Sequence, residues 1–219
     1  DATVLADSYE DGTQLPAPVD GKVALRLQSV TVPGEFENIS FDVKHGEILG
    51  MFGYLGGGMT EVARALFGRL KPSSGEIVID DQVVRPSTPT KAKKLGLAYL
   101  TENRRATIFP RHEIYKNIMR AGHLSGGNQQ KVVLAKWLTK TPKVLILNEP
   151  TRGMDVGAKR EVLDLIRHLK EQGVAIILMS TEPETVMAES DRIIVMSKGR
   201  ITAEFVDERV TKERLLVHA

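Results

Sequence analysis

Glu47-Ile48-Leu49-Gly50-Met51-Phe52 runs straight into Gly53-Tyr54-Leu55-Gly56-Gly57-Gly58-Met59-Thr60. The first six residues are mostly apolar, the pattern of a strand buried on both faces of a parallel sheet. The next eight set a glycine, four residues, a second glycine, one residue and a hydroxyl side chain in order, the spacing of a phosphate-binding loop. Glycines let the backbone curl until successive N–H groups converge on one anion. Thr60 to Gly68 reads as a helix stopped near Gly68, and its N-terminus adds the positive end of a dipole. Gly53, Tyr54, Leu55, Gly56, Gly57, Gly58, Met59, Thr60 and Glu61 are therefore candidate phosphate-loop contacts. The Thr60 hydroxyl stands where a Mg²⁺ ligand belongs.

One position departs from the pattern. Lysine before the threonine would donate charge-assisted hydrogen bonds to terminal phosphates, each worth about 1.5–3 kcal/mol. Met59 occupies that place. At ~1.4 kcal/mol per factor of ten, its loss predicts a weakening of roughly ten- to a hundred-fold in affinity or rate. Taken alone, the stretch could also be a glycine-rich turn with no ligand.

A second segment argues for the ligand. Val144-Leu145-Ile146-Leu147-Asn148-Glu149-Pro150 is a continuous apolar strand ending in polar residues. Opposite a phosphate loop, the first such residue helps hold Mg²⁺ and the next polarises the attacking water. Asn148 keeps a carbonyl oxygen but no charge, so the metal should be held weakly. Glu149 keeps the chemistry of a general base.

The rest of the chain alternates strand and helix patterns. Val23 to Val32 and Ile39 to Val43 alternate apolar and polar residues, Ile77 to Ile79 is a short strand, and Leu97 to Leu100 is another. Gln129 to Leu138 reads as a helix. Lys159 to Glu171 reads as an amphipathic helix with Val162, Leu165, Ile166 and Leu169 inward. Val174 to Met179 and Arg192 to Met196 are buried strands, followed by a turn at Lys198-Gly199-Arg200 into Ile201 to Phe205. This is an α/β order with a mostly parallel core sheet and an antiparallel β region near the N-terminus. Residues 1–21, rich in turn formers and without apolar periodicity, read as a linker or N-terminal extension, leaving 22–219 as the folded domain.

Composition is that of a globular domain: 219 residues, 42% hydrophobic and 26% charged. A net charge of +2 is too mild to argue for nucleic acid as a partner. The absence of cysteine excludes disulfides, a cysteine zinc site and a thiol nucleophile. No apolar run approaches the ~20 residues that cross a bilayer. The polar opening Asp1-Ala2-Thr3 does not resemble a signal peptide.

The segment His123-Leu124-Ser125-Gly126-Gly127-Asn128-Gln129-Gln130-Lys131 resembles the signature motif of ABC ATPases, with Asn128 for the first glutamine. It opens a helix and lies 24 residues before Asn148, which makes the resemblance specific. Glu149-Pro150-Thr151-Arg152-Gly153-Met154-Asp155-Val156-Gly157-Ala158-Lys159 resembles the D-loop region of ATPases that serve monosaccharide importers. Ala98-Tyr99-Leu100-Thr101-Glu102-Asn103-Arg104 resembles the Q-loop of that group, with Glu102 in the glutamine position. Ser180-Thr181-Glu182 falls where most ABC ATPases carry a switch histidine, and the C-terminal halves of sugar importers often carry serines there. The match extends over roughly Gly21 to Phe205.

The resemblance implies an ABC-type nucleotide-binding domain of an importer for ribose- or galactose-type sugars, the second of two fused halves. It implies Mg-ATP as the bound nucleotide. Glu149, Glu102 and Thr181 become the candidate catalytic residues, and Thr60, Asn148 and Glu102 the candidate Mg²⁺ contacts. Ser125, Gly126, Gly127 and Asn128 would touch ATP bound to a partner in a head-to-tail dimer. The implied partners are a second ABC ATPase domain, membrane permease subunits and, indirectly, a periplasmic or extracellular sugar-binding protein. The implied location is the cytoplasmic face of the cell membrane, peripherally. Members of the group usually show arginine at the place of Met59 and aspartate at that of Asn148, so independent hydrolysis is in question. A non-hydrolytic or scaffolding half is the alternative. A soluble ABC ATPase of DNA repair or translation is disfavoured by the sugar-type D-loop. Between Val30 and Phe36, where many relatives place an adenine-stacking ring, only Phe36 is aromatic. His112, His123, His168 and His218 are read as solvated or capping residues.

One spacing is anomalous. Only 21 residues separate Glu102 from Leu124, where the family holds a longer helical subdomain. The signature-bearing helical region, about 103–141, is therefore shortened by a natural deletion or lacks a segment. The second is preferred, because the signature needs that support. An intact mass well above 24.1 kDa would show it, and a mass equal to it would not.

Overall fold

The computed structural model describes residues 12–17, 19–101 and 141–219. Of the expected helical region 103–141 only the last residue is included. Glu102, Ser125, Gly126, Gly127 and Asn128 lie outside the described residues, as do His112, His123 and the helix expected over Gln129 to Leu138.

Twelve strands and five helices are described, in the order β1 (Thr13–Gln14), β2 (Val23–Val32), β3 (Phe36–Lys44), β4 (Ile48–Phe52), α1 (Met59–Leu66), β5 (Ser74–Ile79), β6 (Gln82–Val84), α2 (Pro89–Lys94), β7 (Leu97–Leu100), β8 (Val144–Asn148), α3 (Val156–Glu171), β9 (Ala175–Ser180), α4 (Pro183–Glu189), β10 (Arg192–Ser197), β11 (Arg200–Val206), β12 (Arg209–Val210) and α5 (Lys212–His218). The central sheet has the order β11-β10-β4-β9-β8-β7. It is parallel except for β11, which returns antiparallel on β10 at the edge. Antiparallel pairing is thus not confined to the N-terminal region. A tight turn at Lys198-Gly199 leaves no room for the crossover a parallel partner would need. The second sheet, β3-β2-β5-β6, is wholly antiparallel.

Side-chain alternation along the parallel strands builds core on both faces of the central sheet. On β8, Val144 and Ile146 face the side covered by α1 and the antiparallel sheet. Leu145 and Leu147 face α3. The α3 helix begins one turn earlier than its apolar spacing suggests, because the Asp155 carboxylate caps it, accepting from the Ala158 N–H at 2.9 Å. Its buried face uses Leu163 beside Val162, Ile166 and Leu169, while Leu165 is only partly buried. The α1 helix ends at Leu66, short of Gly68, which adopts a left-handed φ of 71° past the end.

Not all of residues 1–21 is linker. Thr13 and Gln14 pair with Arg209 and Val210, and Leu15 is buried with Phe52, Val195 and Phe205. A two-residue strand carries too little periodicity to show in the sequence. Five other short elements carry no clear local signal either, the two-residue β12 among them. The α2 and α5 helices are capped by Thr88 and Thr211, α4 opens on Pro183, and β6 is three residues long. Among the described residues no helix is long and apolar enough to cross a membrane.

A partly buried ion cluster ties the two sheets together. The Asp80 carboxylate, in the turn after β5, lies 2.6 Å from the Lys143 ammonium and 2.9 Å from His45 Nε2. Both partners stand just ahead of central strands. Lys143, and then His45, holds the Asp80 carboxyl below its usual range against a partial burial that opposes the shift. His168 lies against Gln172 on the surface of α3, and His218 lies against the edge of the buried Phe205 ring.

Candidate functional site

Three neighbouring parallel strands, β4, β9 and β8, end at the same edge. Beyond the carboxyl ends of parallel strands the connections diverge and leave a crevice. Here it is a cavity of about 180 Å³ walled by the Gly56–Glu61 stretch, by Tyr54 and Leu55, and by Asn148, Glu149 and Thr181. The described candidate residues from three distant stretches of chain therefore meet in one place. Gly53 is the exception and stands behind the wall.

The loop after β4 owes its path to glycine at two positions above all. Gly58, the N-cap of α1, has φ 104°, in the region closed to ordinary side chains. A Cβ on Gly53 would come within 2.4 Å of the Met196 carbonyl oxygen. The turn after β10 is thus packed against the loop, and the Gly199 N–H donates to the Gly57 carbonyl at 2.9 Å. The Gly57 N–H donates to the Tyr54 carbonyl at 2.9 Å. Tyr54 and Leu55 lie exposed at the rim.

Met59 is the first residue of α1 and only 6% exposed. Its thioether belongs to the core cluster between α1 and the sheets rather than reaching for a ligand. An apolar side chain gains more from that core than from a polar cavity. As a result, among the described residues the wall contains no lysine or arginine, and its charged members there are Glu61 and Glu149. Attraction for phosphate is left to backbone N–H groups and the helix end. Phe36 is buried in the core cluster, so it offers no ring to a base.

Across the cavity, the Asn148 side-chain amide donates to Thr60 Oγ at 3.1 Å. Two of the three expected Mg²⁺ contacts, Thr60 and Asn148, are thus adjacent and joined. They offer neutral oxygens, which suits a metal that arrives with the phosphates and keeps much of its own water. Among the described residues no group of three or more His, Cys, Asp or Glu side chains could hold a metal by itself.

Glu149 is buried and has φ 51°. Its Oε1 accepts from the Thr181 N–H at 2.7 Å, and its Oε2 accepts from the Ser180 hydroxyl at 3.3 Å. Thr181 therefore meets Glu149 through its backbone N–H. The Lys159 ammonium contacts Glu182 Oε2 at 2.7 Å and Thr185 Oγ at 2.8 Å. Lys159, then Thr185, holds the Glu182 carboxyl below its usual range although burial opposes this. The part of Lys159 in this cluster had no sequence signal, because 23 residues separate it from Glu182.

A buried parallel strand, a glycine-built loop and a helix, facing a strand-end carboxylate and flanked by an antiparallel sheet, have the form of a phosphate-loop nucleotide-binding fold. Solved structures agree on the fold. A nucleotide-free ATP-binding cassette from an ABC transporter superposes with a TM-score of 0.74 at 19% identity, covering 90% of this chain and 95% of that one. An ATP-binding cassette in its ADP conformation gives 0.72 at 20% identity, covering 89% and 94%. The family model described as "ABC transporter" matches residues 36–121 and 109–152, and the chain belongs to that family. Curated relatives include "Ribose import ATP-binding protein RbsA" of Oceanobacillus iheyensis, 39% identical over 241 residues, with 92% of this chain and 49% of that protein covered. The protein of the same name from Bacillus subtilis is 40% identical over 241 residues, covering 92% and 49%. A "Putative ribose/galactose/methyl galactoside import ATP-binding protein" of Halalkalibacterium halodurans is 36% identical over 243 residues, covering 93% and 47%. The chain spans about half the length of these relatives. The family match divides into two pieces around residues 109–121, inside the stretch whose spacing is short.

Proposed function

We propose that this chain is the nucleotide-binding half of a monosaccharide ABC importer, peripheral on the cytoplasmic face of the membrane. It would bind Mg-ATP at Gly53–Thr60 and pair head-to-tail with a second ATPase domain. The names and double length of the curated relatives support the sugar-import setting and the second half. Thr60 and Asn148 would contact Mg²⁺ brought with the nucleotide, and Glu102 would sense the metal or the water. Ser125, Gly126, Gly127 and Asn128 would complete the partner's site. Closure on ATP would drive permease subunits that receive sugar from a binding protein, and hydrolysis would reopen the dimer.

The observation that carries the hydrolytic reading is the hold on Glu149. Two donors orient its carboxylate at the wall of the phosphate-loop cavity. Each carboxylate oxygen keeps an acceptor site for water. Glu149 would take a proton from that water as its oxygen bonds to the γ-phosphorus and the bond to the leaving diphosphate oxygen breaks. The scaffolding alternative is favoured by the missing cation at Met59 and the neutral Asn148.

Glu149→Gln tests the choice. Loss of a positioned general base lowers turnover roughly 10²–10⁴-fold, so the full chain at saturating Mg-ATP should lose hydrolysis while retaining nucleotide. Turnover indifferent to the change contradicts the hydrolytic reading. Failure to bind millimolar Mg-ATP leaves scaffolding.

A further inference from the structure

No histidine lines the cavity among the described residues, and what fixes the Glu149 carboxylate is a chain of contacts that begins on another helix. Glu149 holds a left-handed backbone, which a side chain of its size keeps only where the surroundings enforce it. Ser180 is buried at the end of β9, the strand between β8 and β4. Its oxygen accepts from the Glu182 N–H at 3.1 Å. That bond helps direct the hydroxyl proton toward Glu149 Oε2. The next residue supplies the N–H to Oε1. The turn Ser180–Glu182 therefore addresses both oxygens.

That turn is anchored at one further point. Glu182 is the N-cap residue of α4, yet its side chain makes no cap bond. It is engaged instead by Lys159 at 2.7 Å and by the Thr185 hydroxyl at 2.9 Å, and Lys159 also donates to Thr185 at 2.8 Å. Lys159 sits in the first turn of α3, at the far end of the connection that leaves Glu149. One charged cross-link thus closes a loop running from Glu149 through residues 150–158 to Lys159, and back through Glu182 and Ser180 to Glu149.

We infer that Lys159 and Ser180 are positioning residues for Glu149: Lys159 fixes the Ser180–Glu182 turn through Glu182 and Thr185, and the turn sets the carboxylate by the Ser180 hydroxyl and the Thr181 N–H. This rests on the hydrolytic reading of Glu149. Neither residue touches the reacting atoms. Their effect belongs to the chemical step and not to nucleotide capture, because Lys159 and Ser180 stand outside the cavity wall.

The test compares Lys159→Met, Ser180→Ala and their combination in the full chain, with turnover, KM for Mg-ATP and melting temperature measured on each. A small misplacement of a catalytic group costs up to about a hundred-fold. Each single variant should lower kcat about ten- to a hundred-fold with KM changed less than about two-fold. The double variant should fall little below the worse single one, since both act along one path. Lys159→Arg should recover much of the loss. Glu182→Gln replaces Lys159→Met if the latter does not fold. Multiplying single effects, a rise in KM at unchanged kcat, or parental kcat in the single variants overturns the inference. If parental turnover ignores Glu149→Gln, the hydrolytic reading fails and takes the inference with it. Glu149-dependent turnover that ignores Lys159 and Ser180 overturns the inference alone.

Discussion

Met59→Lys restores the cation that the phosphate loop lacks, and the structure sets two opposing consequences. Met59 is 6% exposed, and burying a side chain of its size contributes about 1.5–3 kcal/mol. Lysine can leave its stem in that space, but its ammonium must move out to the cavity. It also stands at the first position of α1, where the positive helix end disfavours a cation by about 0.3–1 kcal/mol. The variant without nucleotide should therefore be less stable by about 1–3 kcal/mol. At roughly 2–4 °C per kcal/mol for a chain of this size, its melting temperature should fall several degrees. With nucleotide the sign reverses. A wall whose charged members among the described residues are Glu61 and Glu149 gains an ammonium facing the phosphates. One charge-assisted hydrogen bond contributes about 1.5–3 kcal/mol, a roughly ten- to hundred-fold gain in affinity. Titration with a fluorescent ATP analogue and Mg²⁺, and melting with and without saturating Mg-ATP, read both effects. Met59→Leu is the control that keeps the site apolar, and it should show no gain. A folded Met59→Lys variant whose Mg-ATP affinity stays within about three-fold of the parent refutes the reasoning that this loop binds phosphate and is weakened by its missing cation.

Two other substitutions address the metal contact and the frame behind it. Asn148→Asp exchanges the amide donor on Thr60 Oγ for a carboxylate that accepts from the hydroxyl. It should lower the Mg²⁺ concentration for half-maximal nucleotide binding about ten-fold, as ~1.4 kcal/mol of added metal interaction would. An unchanged Mg²⁺ dependence in a folded variant argues against a metal contact at this position. Asp80→Asn tests the inter-sheet ion cluster by pH, and asparagine tolerates the left-handed backbone there. Because the folded carboxyl lies below its usual value of 3.8, Asp80 stabilises the protein above that pH. The contribution is lost as pH falls through the lower folded value. Denaturant melts should show the parent more stable at neutral pH and the difference shrinking toward acid, and a gap that persists unchanged at low pH contradicts this.

The elements that the chain declares by itself are those whose signal is local. The apolar run into Gly53–Thr60, the continuous strand before Asn148-Glu149 and the period of α3 each announce a strand or a helix from neighbouring residues, although α3 starts a turn earlier than its period suggests and buries Leu163 more fully than Leu165. The short pieces were not legible. Thr13–Gln14 is a strand only because Arg209–Val210 is there to pair with it, and β6 needs β5 in the same way. At the candidate site, residue types were legible and their mutual duties were not. The resemblance singled out Thr181 by its place at the switch position, and the fold shows how that turn meets Glu149, through the Thr181 N–H and the hydroxyl of Ser180.

The amino-acid order by itself thus determined the α/β class, the glycine loop, the absence of a loop lysine and the acidic strand end, because these depend on neighbours along the chain. Only the tertiary structure decided that β9 lies between β4 and β8, which brings Ser180 to Glu149. It also decided that Met59 turns into the core and that Lys159 anchors the turn beyond Ser180. Each of these depends on which strands pair and which face packs. Non-local burial and hydrogen bonding set that, across separations of 23 to 150 residues that no local pattern records.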